Sequence, residues 1–361
     1  MIGIRADANS IIATGHVMRC ITIAKAIREL GEKATFFFAD QESLRLYQNN
    51  ASSDEFDVVV LDSDWRDMDG EADKLKTELR NRNIQTLLVD SYSVTRDYFE
   101  KLRSVCRIAY MDDLHKDEYP VNFLINYSGY SNEMGYEEAY KELKGFNDEK
   151  TRLCLGLQYA PLREQFYKLV IDTDNEKYFE DKNRLHVLVS TGGADMCGML
   201  LPILDMLENS PLGSRALWHI VVGDYVDNPD EIIGRAEANP NVVVHRSVRN
   251  MAYLMKNSNA AVMAGGTMLT ECAACGLPTV FYQVADNQKY NVQYWGKTEG
   301  MVFAGDVSKE TAKPGVIGVI EQSLMDWLDE PQKLLTMSHN LQGITDGKGA
   351  IRIAKALIGE V

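Results

Sequence analysis

Short apolar runs that end in polar residues, spaced by amphipathic stretches, recur along the first half of the chain and then begin again in the second. Ile2–Arg5, Ala34–Phe38, Phe56–Leu61, Thr86–Val89, Arg107–Met111 and Phe123–Ile125 are such runs, and Val17–Leu30 and Asp73–Arg82 show helical spacing between them. A strand that is apolar along its whole length has to be buried on both faces, which a parallel sheet covered by helices provides. After a charged, aromatic stretch with weak strand signal from about Gly129 to Lys182, expected to hold the interdomain connection, the pattern restarts. His186–Ser190, Leu217–Val222, Val242–His245, Ala260–Met263 and Thr279–Tyr282 are its second set of runs, and Ala350–Ile358 reads as a closing helix. The expectation is an α/β protein of two Rossmann-like domains facing across a cleft. Residues 1–160 form the first, residues 161–345 the second, and residues 346–361 a helix that packs back on the first.

At 361 residues the chain suits two domains rather than one core. Its 45% hydrophobic and 25% charged residues are ordinary for a globular protein, no twenty-residue apolar run is present, and the start lacks a signal-peptide pattern. A cytoplasmic protein without stable membrane association is expected. The formal net charge of −15 argues against a broad nucleic-acid surface, which needs clustered Lys and Arg. It leaves room for an anionic small ligand held by backbone N–H groups. Six scattered cysteines read as reduced thiols; Cys272 and Cys275 form a C-x-x-C with no second pair at zinc spacing, so they are taken as structural.

Ligands of open α/β sheets sit at the carboxyl edge, and polar residues collect there: Asp7, Asp62, Asp90 to Tyr92, Asp112 and Asp113. Thr14-Gly15-His16-Val17-Met18-Arg19 lies between the first strand and the first long helix. Gly15 allows close approach of backbone to ligand. His16 stands near a helix start, where unpaired N–H groups and the dipole disfavour imidazolium, so a neutral imidazole there is suited to general-base work. A capping turn with a packing histidine is the alternative. In the second half, Ala264-Gly265-Gly266-Thr267-Met268-Leu269-Thr270-Glu271 follows a strand and opens a helix. Gly265, Gly266 and Thr267 form a candidate diphosphate cradle, with Glu271 one turn on as an acceptor for ribose hydroxyls; an ordinary strand–helix turn is the alternative. Asn287 and Gln288 carry amides suited to a sugar hydroxyl or acetamido group, or to a helix cap. The glycine loop Ser190–Asp195 repeats the theme from the other side. Asp62-Ser63-Asp64 resembles a metal-binding D-x-D, yet acids are common at strand ends, and neither a metal nor a cofactor is expected. No G-x-G-x-x-G, P-loop or G-x-S-x-G follows a strand.

Taken in order, Ile4–Asp7, Thr14–Cys20, Asp90–Tyr92, Asp112–Leu114, Asn126, Gly156–Arg163, Ala264–Glu271, Ala285–Gln288 and Asp346–Ala350 resemble the UDP-sugar hydrolases of pseudaminic acid biosynthesis and their spore-coat polysaccharide relatives. That resemblance spans nearly the whole chain. It implies a GT-B architecture related to the glycosyltransferase of peptidoglycan lipid II, with a UDP-sugar as partner. It implies removal of UDP from a UDP-linked 2,4-diacetamido-2,4,6-trideoxy sugar by water attack at the anomeric carbon. His16 would be the catalytic base with Tyr92 nearby, Arg163 and Glu271 would contact UDP, and Asn287 and Gln288 would approach phosphate or sugar. Two positions depart from the family pattern: Ala13 stands where glycine is common, and Thr267-Met268 replaces Ser-Thr, removing a hydroxyl. A GT-B transferase using a UDP-sugar donor and a non-catalytic nucleotide-sugar-binding protein are the competing readings.

Overall fold

The computed structural model describes residues 1–9, 11–12, 15–50, 55–168, 177–181 and 184–360. The chain divides into two units, Met1–Arg163 with Gly347–Val361, and Glu164–Asp346.

In the first unit seven strands form one parallel sheet: β1 (Ile2–Ala6), β2 (Ala34–Phe38), β3 (Asp57–Val60), β4 (Thr86–Asp90), β5 (Arg107–Met111), β6 (Phe123–Asn126) and β7 (Arg152–Leu155), in the order β3-β2-β1-β4-β5-β6-β7. Helices α1 (Gly15–Glu29), α2 (Gln41–Asn50), α3 (Met68–Asn81) and α4 (Arg96–Leu102) alternate with the strands. The period of two sorts the apolar run of β2: Phe36 and Phe38 join one core, Phe37 the other. The first core holds α1 through Val17, Cys20, Ile23, Ala24 and Ile27, spaced to share one helix face. The C-terminal helix Gly349–Ile358 lies in the same core through Ala350, Ile353, Ala354 and Leu357. Its first turn fits only because residue 349 is glycine: a Cβ there would meet the Ala160 carbonyl oxygen at 2.1 Å.

On the opposite face a buried Arg5 spends its guanidinium on carboxylates. Nε and Nη2 donate to Glu71 at 2.6 and 2.9 Å, and Nη1 donates to Asp7 at 2.5 Å. Ser63 and Tyr98 hydroxyls also donate to Glu71, and Asp7 accepts the Ala39 N–H. A buried charge without its partner is strongly destabilising, so this cluster fixes the carboxyl end of β1, the strand that leads into α1.

The second unit repeats the architecture with six parallel strands: β8 (Leu185–Ser190), β9 (Ala216–Val222), β10 (Val242–Arg246), β11 (Ala260–Ala264), β12 (Thr279–Gln283) and β13 (Met301–Asp306), in the order β10-β9-β8-β11-β12-β13. Helices Leu200–Asn209, Pro229–Glu237, Met251–Asn257, Met268–Ala274, Lys289–Trp295 and Lys313–Asp329 connect or follow them. Two strands depart from the expectation, β7 and β13, both at sheet edges. β7 is four residues long inside the charged stretch, and β13 is half exposed and interrupted by Gly305 at φ 132°. An edge strand needs no continuous apolar run, so its sequence signal is weak.

Candidate active site

In the first sheet the winding reverses between β1 and β4, which pair directly, with Ala6 opposite Asp90. Such a switch point opens a crevice at the carboxyl edge. The chain leaving β1 enters α1, whose second residue is His16, 7% exposed. The chain leaving β4 carries Asp90 at its last position and Tyr92 two residues on.

His16 Nδ1 lies 2.5 Å from Asp90 Oδ1. Arg19, one turn along α1, forks onto the same carboxylate, Nε to Oδ2 at 2.5 Å and Nη2 to Oδ1 at 2.6 Å. Its remaining nitrogen, Nη1, donates to Asp113 at 2.8 Å and to the Tyr127 hydroxyl at 2.7 Å. The Tyr92 hydroxyl donates to the same Asp113 oxygen at 2.9 Å, and the Tyr92 ring stands edge-on to His16 with centroids 4.6 Å apart. Asp112 Oδ1 accepts the N–H groups of Leu114 and His115, fixing the turn that presents Asp113.

Electrostatics assigns the protons. Burial alone would raise the Asp90 carboxyl, but the Arg19 charge and the hydrogen bonds from Arg19 and His16 overcome it, holding Asp90 far below the usual carboxylate range. An ionised Asp90 accepts from His16 Nδ1–H, which leaves the lone pair on Nε2. Burial, followed by the Asp113 charge, pushes the Tyr92 phenol above its ordinary value, so Tyr92 keeps its proton. The arrangement is a base-and-carboxylate pair with the base lone pair directed away from the carboxylate.

Of the residues singled out in this unit, His16 and Tyr92 are brought together, and Gly15 is the exposed first residue of α1. Ala13 and Thr14 lie outside the described residues. Arg163 is half-buried at the last position of the unit's main segment. Asp62 and Asp64 of the D-x-D are exposed and pair with Lys74 and Arg66. No group of three or more His, Cys, Asp or Glu side chains suited to a metal occurs among the described residues. Arg19, Asp90 as partner of His16, and Asp113 were not assigned roles from sequence. The signal for the acids is position: Asp90 closes β4 at the switch point, and Asp113 stands two residues past the end of the neighbouring β5.

In the second unit the same edge carries Gly265, Gly266 and Thr267 after β11 and Asn287 and Gln288 after β12. The turn is built tightly. Gly265 N–H donates to the Tyr282 carbonyl and Gly266 N–H to the Ala264 carbonyl, so of the three residues it is Thr267 whose polar groups are presented at this turn rather than the glycines' N–H groups. Asn291 Nδ2 donates to both Gly265 and Gly266 carbonyls, at 2.9 and 3.2 Å. A Cβ on Gly265 would meet Val292 at 2.7 Å and the Tyr282 carbonyl at 3.0 Å, whereas one on Gly266 would come no closer than 3.9 Å to Gln288 Nε2. Gln288 Oε1 accepts the Val284 N–H at 3.0 Å, so its carbonyl holds its own loop and only its NH₂ end faces Gly266. Asn287 and Thr267 are exposed, and Glu271 is half-buried in the helix Met268–Ala274. Met268 sulfur touches the Ser190 hydroxyl at 3.9 Å, which puts a hydroxyl from β8 beside the position that lacks one. Cys272 and Cys275 are free thiols.

Known proteins with this architecture fix the fold class. Acinetobacter baumannii MurG superposes with a TM-score of 0.69 at 12% identity, covering 99% of both chains. The UDP-GlcNAc 2-epimerase from Neisseria meningitidis, solved bound to UDP-GlcNAc, gives 0.66 at 13% identity, covering 99% of this chain and 100% of that one. The fold is α/β, two Rossmann-like domains of the GT-B type. The chain has relatives among nucleotide-sugar and polysaccharide proteins. It is 20% identical to the spore coat polysaccharide biosynthesis protein SpsG of Bacillus subtilis, over 99% of this chain and 97% of that one. It is 22% identical to the UDP-2,4-diacetamido-2,4,6-trideoxy-beta-L-altropyranose hydrolase of Campylobacter jejuni, over 74% of this chain and 85% of that one. An uncharacterized protein of Methanocaldococcus jannaschii is 23% identical over 77% of this chain, and the match spans only 54% of that longer relative. No protein-family model matches the chain. No helix among the described residues is long and apolar enough to cross a membrane.

Proposed function

We propose that this protein hydrolyses a UDP-linked diacetamido-trideoxy sugar to UDP and free sugar, with His16 as the general base. The single observation that carries the reading is the His16 Nδ1–Asp90 pair at 2.5 Å on the switch-point edge, beside Tyr92. A carboxylate on Nδ1 fixes the tautomer and steadies the imidazolium that forms when Nε2 takes a proton. The water oxygen bonds to the anomeric carbon, its proton passes to His16 Nε2, and the bond from that carbon to the phosphoryl oxygen breaks. UDP leaves with the bonding pair and its own oxygens. The kinship with the Campylobacter jejuni hydrolase supports both the sugar class and the reaction. In this reading UDP is held by the second unit, its ribose on Glu271, its diphosphate at the Gly265–Thr267 turn, its sugar near Asn287 and Gln288, with Arg163 contributing to UDP.

The experiment is to incubate the protein with candidate UDP-sugars in ¹⁸O-water and follow UDP and the sugar product. Label is expected in the sugar, with turnover unchanged by EDTA. Label in UDP, or activity lost with EDTA and restored by Mg²⁺, overturns the mechanism. Gly266→Ala tests the turn: the added methyl fits the folded protein, so stability should stay within about 0.5 kcal/mol, while UDP affinity falls about tenfold or more as the methyl occupies ligand space. Gly265→Ala, by contrast, should destabilise the unit by about 1–3 kcal/mol through overpacking against Val292. Calorimetry and urea unfolding separate the two.

A GT-B transferase is the second reading. The exposure of Ile11 (68%) and Leu114 (47%), on loops that follow β1 and β5, favours it by offering apolar surface to an acceptor. UDP release that requires an added acceptor, with no free sugar formed, would establish it.

A further inference from the structure

We infer that Tyr92 meets the reacting water as a hydrogen-bond acceptor, and that Asp113 is the positioning residue that fixes this polarity. The inference rests on the hydrolase reading and adds a direction to the hydrogen bonding within it. A phenol has one proton to donate. Tyr92 donates it to Asp113 Oδ2 at 2.9 Å, and the same oxygen is held by Arg19 Nη1 at 2.8 Å. Asp113 cannot turn away easily, because its backbone belongs to the turn capped by Asp112 Oδ1. What Tyr92 offers toward a ligand is therefore a lone pair. His16, its proton committed to Asp90, offers a lone pair as well, on Nε2.

The two rings are in edge contact, with centroids 4.6 Å apart and planes at 80°. A water bridging their polar tips, His16 Nε2 and Tyr92 Oη, has two hydrogens and two acceptors to satisfy. One hydrogen points at His16 Nε2 and is transferred as the oxygen bonds to the anomeric carbon. The other points at Tyr92 Oη and stays with the oxygen as the hydroxyl of the free sugar. With both hydrogens engaged, an oxygen lone pair faces the carbon, which is the orientation attack requires. The same geometry removes Tyr92 as a general acid for the departing phosphoryl oxygen, since its proton already faces a carboxylate. Asp113 touches neither water nor sugar in this account; it acts through Tyr92, and Arg19 ties it to the Asp90 carboxylate.

Replacing Asp113 by Ala tests this, because it removes the acceptor and frees the Tyr92 proton to turn toward the water. Asn would not serve: Arg19 Nη1 donates to the same Asp113 oxygen as Tyr92, so it would keep an amide oxygen in that place. Turnover should fall about 10- to 100-fold in Asp113→Ala and in Tyr92→Phe, with UDP affinity within about twofold of wild type in each. The double variant should be no slower than the slower single, because both remove one contact. In protein labelled with ¹³C at tyrosine Cζ, the Tyr92 titration should move down in Asp113→Ala as the carboxylate is lost. An Asp113→Ala enzyme within twofold of wild-type turnover overturns the inference. So do losses that multiply in the double variant, or a parallel loss of UDP affinity and melting temperature, which would make Asp113 a packing residue. A wild type inert toward every UDP-sugar refutes the hydrolase reading itself, whereas an active wild type with an equally fast Asp113→Ala variant refutes only this inference.

Discussion

Replacement of His16 by Asn is expected to cut turnover about 10²- to 10⁴-fold, the range for loss of a general base, while leaving UDP affinity nearly unchanged. The asymmetry follows from placement: His16 belongs to the first unit, and the proposed UDP contacts at Gly265–Thr267 and Glu271 belong to the second. Asp90→Asn should act almost as severely. The amide no longer fixes the proton on His16 Nδ1 or steadies an imidazolium, and Arg19 loses the carboxylate that takes its Nε and Nη2. Groups that act as one unit are not additive, so His16→Asn with Asp90→Asn should be little slower than His16→Asn alone. Single-turnover rates and calorimetric UDP affinities for the three variants decide the matter. A fully active His16→Asn enzyme would reduce this histidine to packing and end the mechanism.

Acid should destabilise the second unit through a row of three histidines that the chemistry does not use. His186 on β8, His219 on β9 and His245 on β10 are buried, and they bond in series: His186 Nδ1 to His219 Nε2 at 2.9 Å, and His219 Nδ1 to His245 Nε2 at 3.0 Å. His186 Nε2 faces the Asp181 carbonyl at 3.0 Å and must donate there, so each following contact is donated by the next ring, and His219 is neutral. Burial, then His245 and His186, depress the His219 imidazole to about 3. An unfolded histidine titrates near 6.5. Between those values the unfolded chain binds the extra proton and the folded chain does not, so stability is complete above about pH 6.5 and falls as the pH drops toward 3. The slope approaches about 1.4 kcal/mol per pH unit, and the full window is worth on the order of 4–5 kcal/mol. Urea unfolding at pH 7, 6, 5 and 4, read through the fluorescence of the unit's tryptophans, including buried Trp218 one residue from His219, measures it. His219→Leu should cost about 1–3 kcal/mol at pH 7, because it removes two buried hydrogen bonds, and should flatten the acid slope relative to wild type. Equal slopes would remove His219 as the cause.

The sequence by itself determined the architecture. Runs such as Phe36–Phe38 and Ala260–Met263 are apolar at every position, and only a doubly covered parallel sheet buries both faces of such a strand. It also marked His16, because a histidine beside a glycine at a strand–helix junction is a local pattern. The edge strands β7 and β13 escaped it, since half-exposed strands carry no continuous apolar signal. Tertiary structure alone decided which residues work together. His16 and Asp90 are 74 residues apart, and Arg19 and Asp113 are 94 apart. They meet because β4 pairs with β1, and β5 with β4, in a sheet order that sequence order does not state. The histidine row likewise draws one ring from each of three neighbouring strands. Periodicity is a property of neighbours along the chain, and it specifies which face of a strand is buried. A proton's direction depends on the partner across the fold, and that partner is set by strand order and register.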